Sequence, residues 1–244
     1  HLENARRRLA FDEIFLLQLG LLRQKRDWQQ AEATHYTLPA EELGTIIDNL
    51  PFDLTSAQKN ALDDICTDLD SGRPMNRLLQ GDVGSGKTVI AALAAAIVTS
   101  GQAQVALMAP TSILAEQHLR NLRLILADAS NEILETEQIA ILVGNTSSTE
   151  KEIVRSGLEN GTIKIIVGTH ALIQDPVIFS NLQLVIVDEQ HRFGVAQRAT
   201  LRQKGANPHL LVMTATPIPR SMALTVYGDL DLTVMDEMPA GRQP

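Results

Sequence analysis

The stretch RLLQGDVGSGKTVIAALAAAIVTS (77–100) decides the fold. It begins with RLLQG, which is typical of a short buried strand, and it ends with KTVIAALAAAIVTS, which is typical of a helix. Between them, GDVGSGKT (81–88) matches the pattern G-x-x-x-x-G-K-[ST]. A glycine-rich turn between a strand and a helix predicts a loop that binds phosphate groups through its backbone N–H groups.

The residue types in this loop suit a nucleotide that carries a magnesium ion. Glycine has no Cβ, so successive backbone N–H groups can turn toward a phosphate without a steric clash. Lys87 can reach the outer phosphates as a point charge, and the hydroxyl of Thr88 can bind Mg²⁺. The predicted nucleotide-binding positions in the loop are Gly81, Gly84, Ser85, Gly86, Lys87 and Thr88.

Strands and helices alternate along the chain after residue 50. Helices are predicted over 111–126 and 149–161, and several strands are apolar with little alternation, as in a parallel sheet covered on both faces. We predict an α/β fold with a doubly wound parallel sheet, whose ligands bind beyond the carboxyl ends of the strands. The further predicted strands are 104–110, 138–144, 162–168, 182–189 and 209–216.

An acidic pair supplies the second half of the predicted site. The apolar run LVIVDE (184–189) ends in Asp188 and Glu189, about a hundred residues after the glycine-rich loop. Asp188 is predicted to hold Mg²⁺, and Glu189 is predicted to act as the general base on the attacking water.

The first fifty residues differ from the rest because they contain no β-like alternation. Residues 6–28 predict one long helix, with apolar side chains nearly all round at 14–17. Such a helix is usually buried from more than one side, so we expect a brace between domains. We divide the chain into a helical brace (1–50), an α/β nucleotide-binding domain (51–236) and a linker (237–244), which we expect to lead to a domain outside this chain.

Composition excludes several classes of protein. The 244 residues are 44% hydrophobic, which excludes a disordered chain, and the formal net charge of −8 argues against a general nucleic-acid coat. One cysteine, Cys66, excludes an internal disulfide framework and fits the cytoplasm. The longest apolar run, 89–98, is too short to span a membrane.

The order of the motifs resembles the first motor domain of a superfamily 2 helicase, a RecA-like P-loop NTPase domain. After the glycine-rich loop come APTSILAEQH (109–118), GTHALIQ (168–174), DEQHRFGVAQR (188–198) and TATPIPR (214–220).

The amino-acid sequence of several stretches most resembles that of the RecG-type branched-DNA helicases. The stretches that carry this resemblance are RRRLAFDEIFLLQL (6–19), LLQGDVGSGKT (78–88), DEQHRFG (188–194) and TATPIPRSMALTVYGDLDL (214–232). Transcription-repair coupling translocases share the motor motifs and remain an alternative.

The resemblance assigns roles to further residues. Gln58 resembles the glutamine that contacts adenine in these proteins, which makes ATP the expected nucleotide. His191, with Lys87, Asp188 and Glu189, belongs to the expected catalytic set. The expected coupling residues are Arg192, Phe193, Arg198, Thr214, Thr216 and Arg220.

Polar residues after two strands are expected to contact the sugar–phosphate backbone of DNA. These are Thr111 and Gln117, together with His118, after one strand, and Thr169 and His170 after another. Thr111 and Thr169 also fit a simpler role as helix N-caps, and that alternative stays open.

For a complete protein, the resemblance implies ATP-driven remodelling of forks and Holliday junctions in recombination and repair. The implied partners are branched double-stranded DNA, a wedge domain and a second RecA-like domain of the same polypeptide, and a single-strand-binding protein. It also implies a location in the bacterial cytoplasm, in association with the nucleoid. We expect a monomer, because nothing in the sequence indicates a dedicated dimer interface. We expect this chain alone to bind nucleotide without helicase activity.

Two rival classes have weaker support. A GTPase should carry an N-K-x-D motif and a small-molecule kinase an arginine-bearing lid, and the sequence shows neither. A vestigial, nucleotide-gated interaction module should be free to lose the lysine or the acidic pair, and both are present.

Overall fold

A computed structural model describes residues 2–127, 133–174, 177–188, 200–216 and 230–237. The helices in these ranges are α1 (Leu2–Gln29), α2 (Ala40–Asp48), α3 (Ser56–Asp70), α4 (Lys87–Ser100), α5 (Ser112–Leu126) and α6 (Ser148–Glu159). The strands are β1 (Asn76–Gly81), β2 (Gln104–Met108), β3 (Ile139–Leu142), β4 (Ile165–Gly168), β5 (Leu182–Asp188), β6 (His209–Thr214) and β7 (Asp231–Met235). Short 3-10 turns span Thr136–Gln138 and His170–Leu172.

The strands form one seven-stranded sheet in the order β3-β4-β2-β5-β6-β1-β7, and every pairing is parallel. Helices α4, α5 and α6 connect β1 to β2, β2 to β3 and β3 to β4, whereas the described parts of the connection from β4 to β5 contain only a 3-10 turn. The predicted α/β class with a doubly wound parallel sheet is therefore confirmed. All carboxyl ends lie at one edge of the sheet, which we call the carboxyl edge.

Both faces of the sheet are buried, and the side chains of β5 show how. Leu184 and Ile186 point into a core shared with α4 and α5, whereas Val185 and Val187 point into a second core on the opposite face. A strand that packs on both sides has no solvent-facing side, which explains the apolar run at 184–187 in the middle of β5.

Helix α4 packs at the centre of the first core, where every residue from 90 to 99 is buried. The small alanines in the middle of this helix let its backbone approach the sheet closely. The apolar run at 89–98 is thus a core helix. In the described parts of the chain, no helix is both long and apolar enough to cross a membrane.

Strand β7 and helices α2 and α3 were not predicted from the sequence. β7 lies at the edge of the sheet and pairs only with β1 in the described ladder, so only Thr233 and Met235 of the strand are buried. An edge strand of five residues with a half-exposed pattern carries little periodic signal.

The long N-terminal helix is present, and much of its apolar surface is exposed. Leu9, Phe15 and Leu16 are 53–66% exposed. An ion pair of 2.8 Å joins Lys25 Nζ to Asp231 Oδ1 at the start of β7. The role of the helix as a brace between domains stays a prediction.

The segment that follows α1 packs on the sheet. Tyr36, Ile46 and Leu50 are buried in the same core as α4. The backbone N–H of Tyr36 donates to the Leu69 carbonyl at 3.0 Å. The boundary after residue 50 remains a prediction, although residues on both sides of it share one core.

Candidate nucleotide and DNA site

The carboxyl edge brings together the ends of β5, β6 and β1, which are neighbours in the sheet. The register aligns Asp188 of β5 with Met213 of β6, and Thr214 with Gln80 of β1. Gly81 follows Gln80 directly. The predicted magnesium ligand, the predicted coupling segment and the phosphate loop therefore lie side by side, although they are far apart in sequence.

Glycines shape the phosphate loop. Gly84 and Gly86 have φ values of 90° and 91°, in the left-handed region where a Cβ is strained. A Cβ on Gly86 would also collide with the side-chain amide of Gln58. Gly86 is the N-cap of α4 and makes no side-chain capping bond, so the first N–H groups of the helix have no side-chain oxygen from their cap.

Lys87 folds back over its own loop. Its Nζ donates to the carbonyl of Gly81 at 2.6 Å and to the carbonyl of Asp82 at 2.9 Å. The ammonium group is thereby held over the loop, where a phosphate would meet it.

The residues of the loop fit a polyphosphate with Mg²⁺. Ser85 is 1% exposed, and its Oγ has no hydrogen-bond partner in the described structure. A buried unpaired hydroxyl costs about 1–3 kcal/mol, a cost that a phosphate oxygen could remove. Thr88 in the first turn of α4 and Asp188 offer the oxygen ligands that Mg²⁺ prefers.

Asp188 is buried and in contact with a histidine. It is 9% exposed, and its Oδ2 lies 2.7 Å from Nε2 of His118, which is 6% exposed. His118, which the sequence places with the expected DNA contacts, is buried in the structure. Ala115, His118 and Leu122 share the buried face of α5, and this helical spacing is the signal that could have revealed the difference.

Gln58 connects α3 to the phosphate loop. Its Oε1 accepts from the backbone N–H of Thr55 at 2.8 Å as part of a capping box, and its Nε2 donates to the carbonyl of Ser85 at 2.8 Å. Both amide atoms are therefore engaged within the protein. Contact with adenine remains a prediction, and it would require these bonds to exchange.

The predicted DNA contacts lie at the carboxyl edge after β2 and β4. Thr111 is the N-cap of α5, and its hydroxyl accepts from the backbone N–H of Leu114 at 3.3 Å. Thr169 precedes a 3-10 turn, and its side chain makes no capping bond. Gln117 and His170 are exposed. The N-cap reading thus holds for Thr111 and not for Thr169, and DNA contact by all four residues remains a prediction.

The predicted coupling segment follows β6 and is held by its own hydroxyls. Thr214 is 2% exposed, and its Oγ1 lies 3.2 Å from Oγ1 of Thr216. The backbone N–H of Thr216 donates to the same Thr214 oxygen at 3.1 Å. The remaining predicted site residues lie outside the described ranges: Glu189, His191, Arg192, Phe193, Arg198 and Arg220.

Comparison with known proteins identifies the class to which this fold and site belong. The DEAD/DEAH box helicase family matches residues 55–225, which is more than half of the chain. The chain therefore belongs to the DEAD/DEAH box helicase family. Solved helicases of lower identity share the fold, including the DEAD-box helicase Mss116 (18% identical over 80% of this chain and 43% of that one, TM-score 0.62).

The most informative individual matches are RecG proteins, as the resemblance predicted. The chain is 51% identical over all of its length to the ATP-dependent DNA helicase RecG of Thermotoga maritima, of which it covers 30%. It is 47% identical to RecG of Aquifex aeolicus over 97% of this chain and 29% of the relative. The solved structure of RecG bound to a three-way DNA junction is 48% identical and covers 100% of this chain and 32% of that one, with a TM-score of 0.84. The chain thus spans about a third of these relatives.

Proposed function

We propose that this chain is the ATP-binding motor domain of a helicase that remodels branched DNA, such as forks and Holliday junctions, in recombination and repair. The observation that carries the proposal is the phosphate loop 81–88 beside Asp188 at one edge of the sheet. The similarity to RecG proteins extends through residues 1–50, which favours this branch over a transcription-repair coupling translocase.

The phosphate loop would bind the nucleotide through its backbone. The N–H groups around Gly84 and Gly86 and the start of α4 form a positive surface for a polyphosphate. Lys87 would exchange its bonds to the Gly81 and Asp82 carbonyls for bonds to phosphate oxygens.

Thr88 and Asp188 would hold the magnesium ion. Mg²⁺, when bound, neutralises charge on the phosphate oxygens. Glu189 is the proposed general base for the attacking water, and His191 is the proposed connection to the coupling segment at 214–216.

The DNA would lie across the same edge of the sheet. Thr111, Thr169 and His170 follow the ends of β2 and β4, and Gln117 lies in the second turn of α5; their polar side chains are suited to the sugar–phosphate backbone. Arg192, Phe193, Arg198 and Arg220 are proposed to relay DNA contact to the nucleotide. A RecG relative is solved on a three-way junction, which supports branched DNA as the substrate.

Catalysis is proposed to need a second RecA-like domain of the same polypeptide. In phosphoryl transfer, an arginine supplied from outside the phosphate site is worth about 10³–10⁵ in rate. We therefore expect this chain alone to bind Mg·ATP, to hydrolyse it barely and to leave forked DNA paired. The wedge domain and a single-strand-binding protein are further proposed partners. We also propose that the protein is a monomer and that it is associated with the nucleoid.

The test is calorimetric binding of Mg·ATP to the 244-residue chain, with phosphate release followed in the same samples with and without forked DNA. Lys87→Ala should weaken binding by about tenfold or more, because a charge-assisted hydrogen bond contributes about 1.5–3 kcal/mol. Release should stay near the rate of the nucleotide in buffer.

Lys151→Ala is a matched control. Lys151 also lies in the first turns of a helix and donates to a glycine carbonyl, that of Gly144, at 3.1 Å. It follows β3, five positions from β1 in the sheet. Equal effects of the two substitutions would contradict the proposed nucleotide site, and brisk release by the chain alone would contradict the need for a second motor domain.

A further inference from the structure

Among the residues that the structure describes, two histidines are buried at opposite ends of the sheet, and they are bonded differently. His209, at the start of β6, uses both ring nitrogens: Nδ1 accepts from the backbone N–H of Met75 at 3.0 Å, and Nε2 donates to the carbonyl of Thr34 at 3.1 Å. This is the arrangement expected of a histidine that stabilises the fold.

His118 uses only one ring nitrogen. Nε2 lies 2.7 Å from Oδ2 of Asp188, and Nδ1 is buried with no hydrogen-bond partner in the described structure. A carboxylate can only accept, so Nε2 is the donor. A role in packing alone does not explain a buried polar ring that leaves one nitrogen unpaired and makes its single bond to Asp188.

The bond restricts Asp188 at the end of β5. Oδ2 accepts from His118, so one oxygen of the carboxylate is held in place by α5. The imidazole is itself fixed by α5, whose buried face includes Ala115 and Leu122 on either side of His118. Hydrogen bonds of this kind orient a metal-binding carboxylate before the metal arrives.

We propose that His118 is a positioning residue, which holds Asp188 in the orientation that binds the magnesium ion of the nucleotide. The inference rests on the proposed function, because it takes Asp188 as the magnesium ligand. The hydrogen bond from His118 to Asp188 connects α5 to the proposed nucleotide site. This contact is separate from the DNA contacts proposed for Thr111, at the N-cap of α5, and for Gln117.

The test measures metal binding directly, by electron paramagnetic resonance titration of Mn²⁺ into the 244-residue chain saturated with ADP. His118→Leu keeps an apolar side chain of useful volume and removes the donor. It should weaken Mn²⁺ binding by about 10- to 100-fold, the usual effect of losing such a partner. ADP binding in the presence of a chelator should be unchanged, because the phosphate loop does not contact His118 in the described hydrogen bonds.

Rescue separates positioning from packing. His118→Gln carries an amide N–H that can reach the place of Nε2, so it should restore Mn²⁺ affinity to within about threefold of the original chain. If His118→Leu does not fold, His118→Asn replaces it, because that shorter amide does not reach Asp188.

His209→Ala is the control for a general loss of stability. It removes the other buried histidine, at the far end of β6, and should lower the unfolding midpoint without changing Mn²⁺ affinity. The proposal is overturned if His118→Leu binds Mn²⁺ like the original chain, or if the leucine and glutamine variants are equally weakened. Absence of Lys87-dependent ADP binding in the original chain would instead contradict the proposed function itself.

Discussion

At the scale of single residues, the predicted phosphate site follows from local chemistry. A glycine is required at Gly86 because its φ is positive and a Cβ there would meet Gln58, and the motif places that glycine in the sequence. The contact between His118 and Asp188 could not be predicted in the same way. The two residues are 70 positions apart, and only the folded sheet brings α5 onto the end of β5.

His209 predicts how stability depends on pH. Burial lowers its pKa below the ordinary value of 6.5, because the folded protein disfavours the charged ring, and protonation of Nδ1 would also break the bond from Met75. The folded state thus binds fewer protons than the unfolded state. The contribution of neutral His209 to the free energy of unfolding is therefore intact above pH 6.5. It is lost as the pH falls from 6.5 toward the lowered pKa of the folded state.

Urea unfolding near pH 7.5 and near pH 5.5 (both about one unit from the ordinary histidine pKa) checks this sign. The free energy of unfolding should fall more steeply on acidification in the original chain than in His209→Gln. Equal slopes for the two chains would contradict the assignment.

At the scale of elements, an arginine on β1 explains how an edge strand that carries little sequence signal is held in place. Arg77 donates to Asp68 at 2.6 Å and Asp64 at 3.0 Å on α3, and to the hydroxyl of Thr233 on β7 at 2.6 Å. Its side chain is 11% exposed. Burial acts to lower the pKa of Arg77, but the hydrogen bond to Asp68 and the charges of the nearby carboxylates together raise it above its ordinary value.

Arg77→Met should therefore lower the free energy of unfolding by about 1–3 kcal/mol, because Asp68 loses its charged partner and the link from α3 through β1 to Thr233 is broken. Arg8→Met is the matched control, since the pair of Arg8 with Asp12 is exposed on α1. That change should stay within about 0.5 kcal/mol in the same urea experiment. Similar losses from both substitutions would show that the contacts of Arg77 do not stabilise β7.

Elements differ in how well the sequence reveals them. The central strand β5 and helix α4 contain uninterrupted apolar runs, at 184–187 and 89–98, so their burial was predictable from the local sequence. The helical conformation of α1 was predictable from its sequence. Its apolar side chains, such as Leu9 and Phe15, are exposed, so an apolar pattern alone does not show which surface packs against a helix.

At the scale of the whole molecule, the carboxyl edge is the proposed functional surface. Every parallel strand ends there. The phosphate loop, Asp188 and the polar residues after β2 and β4 therefore lie at the same edge, although they are far apart in the sequence. This convergence was predictable from the class of fold. The order of the strands was not, because the sequence does not say that β6 separates β1 from β5.

The central claim is that loop 81–88 binds the phosphates of a nucleotide through Lys87. The most direct test is a calorimetric comparison of ADP and AMP, with Mg²⁺, binding to the original chain and to Lys87→Ala. The account predicts that ADP binds the original chain about 10- to 100-fold more tightly than AMP, since the second phosphate gains charge-assisted bonds, and that Lys87→Ala removes most of this difference. Equal affinities for ADP and AMP in the original chain, or a preference that survives Lys87→Ala, would contradict it.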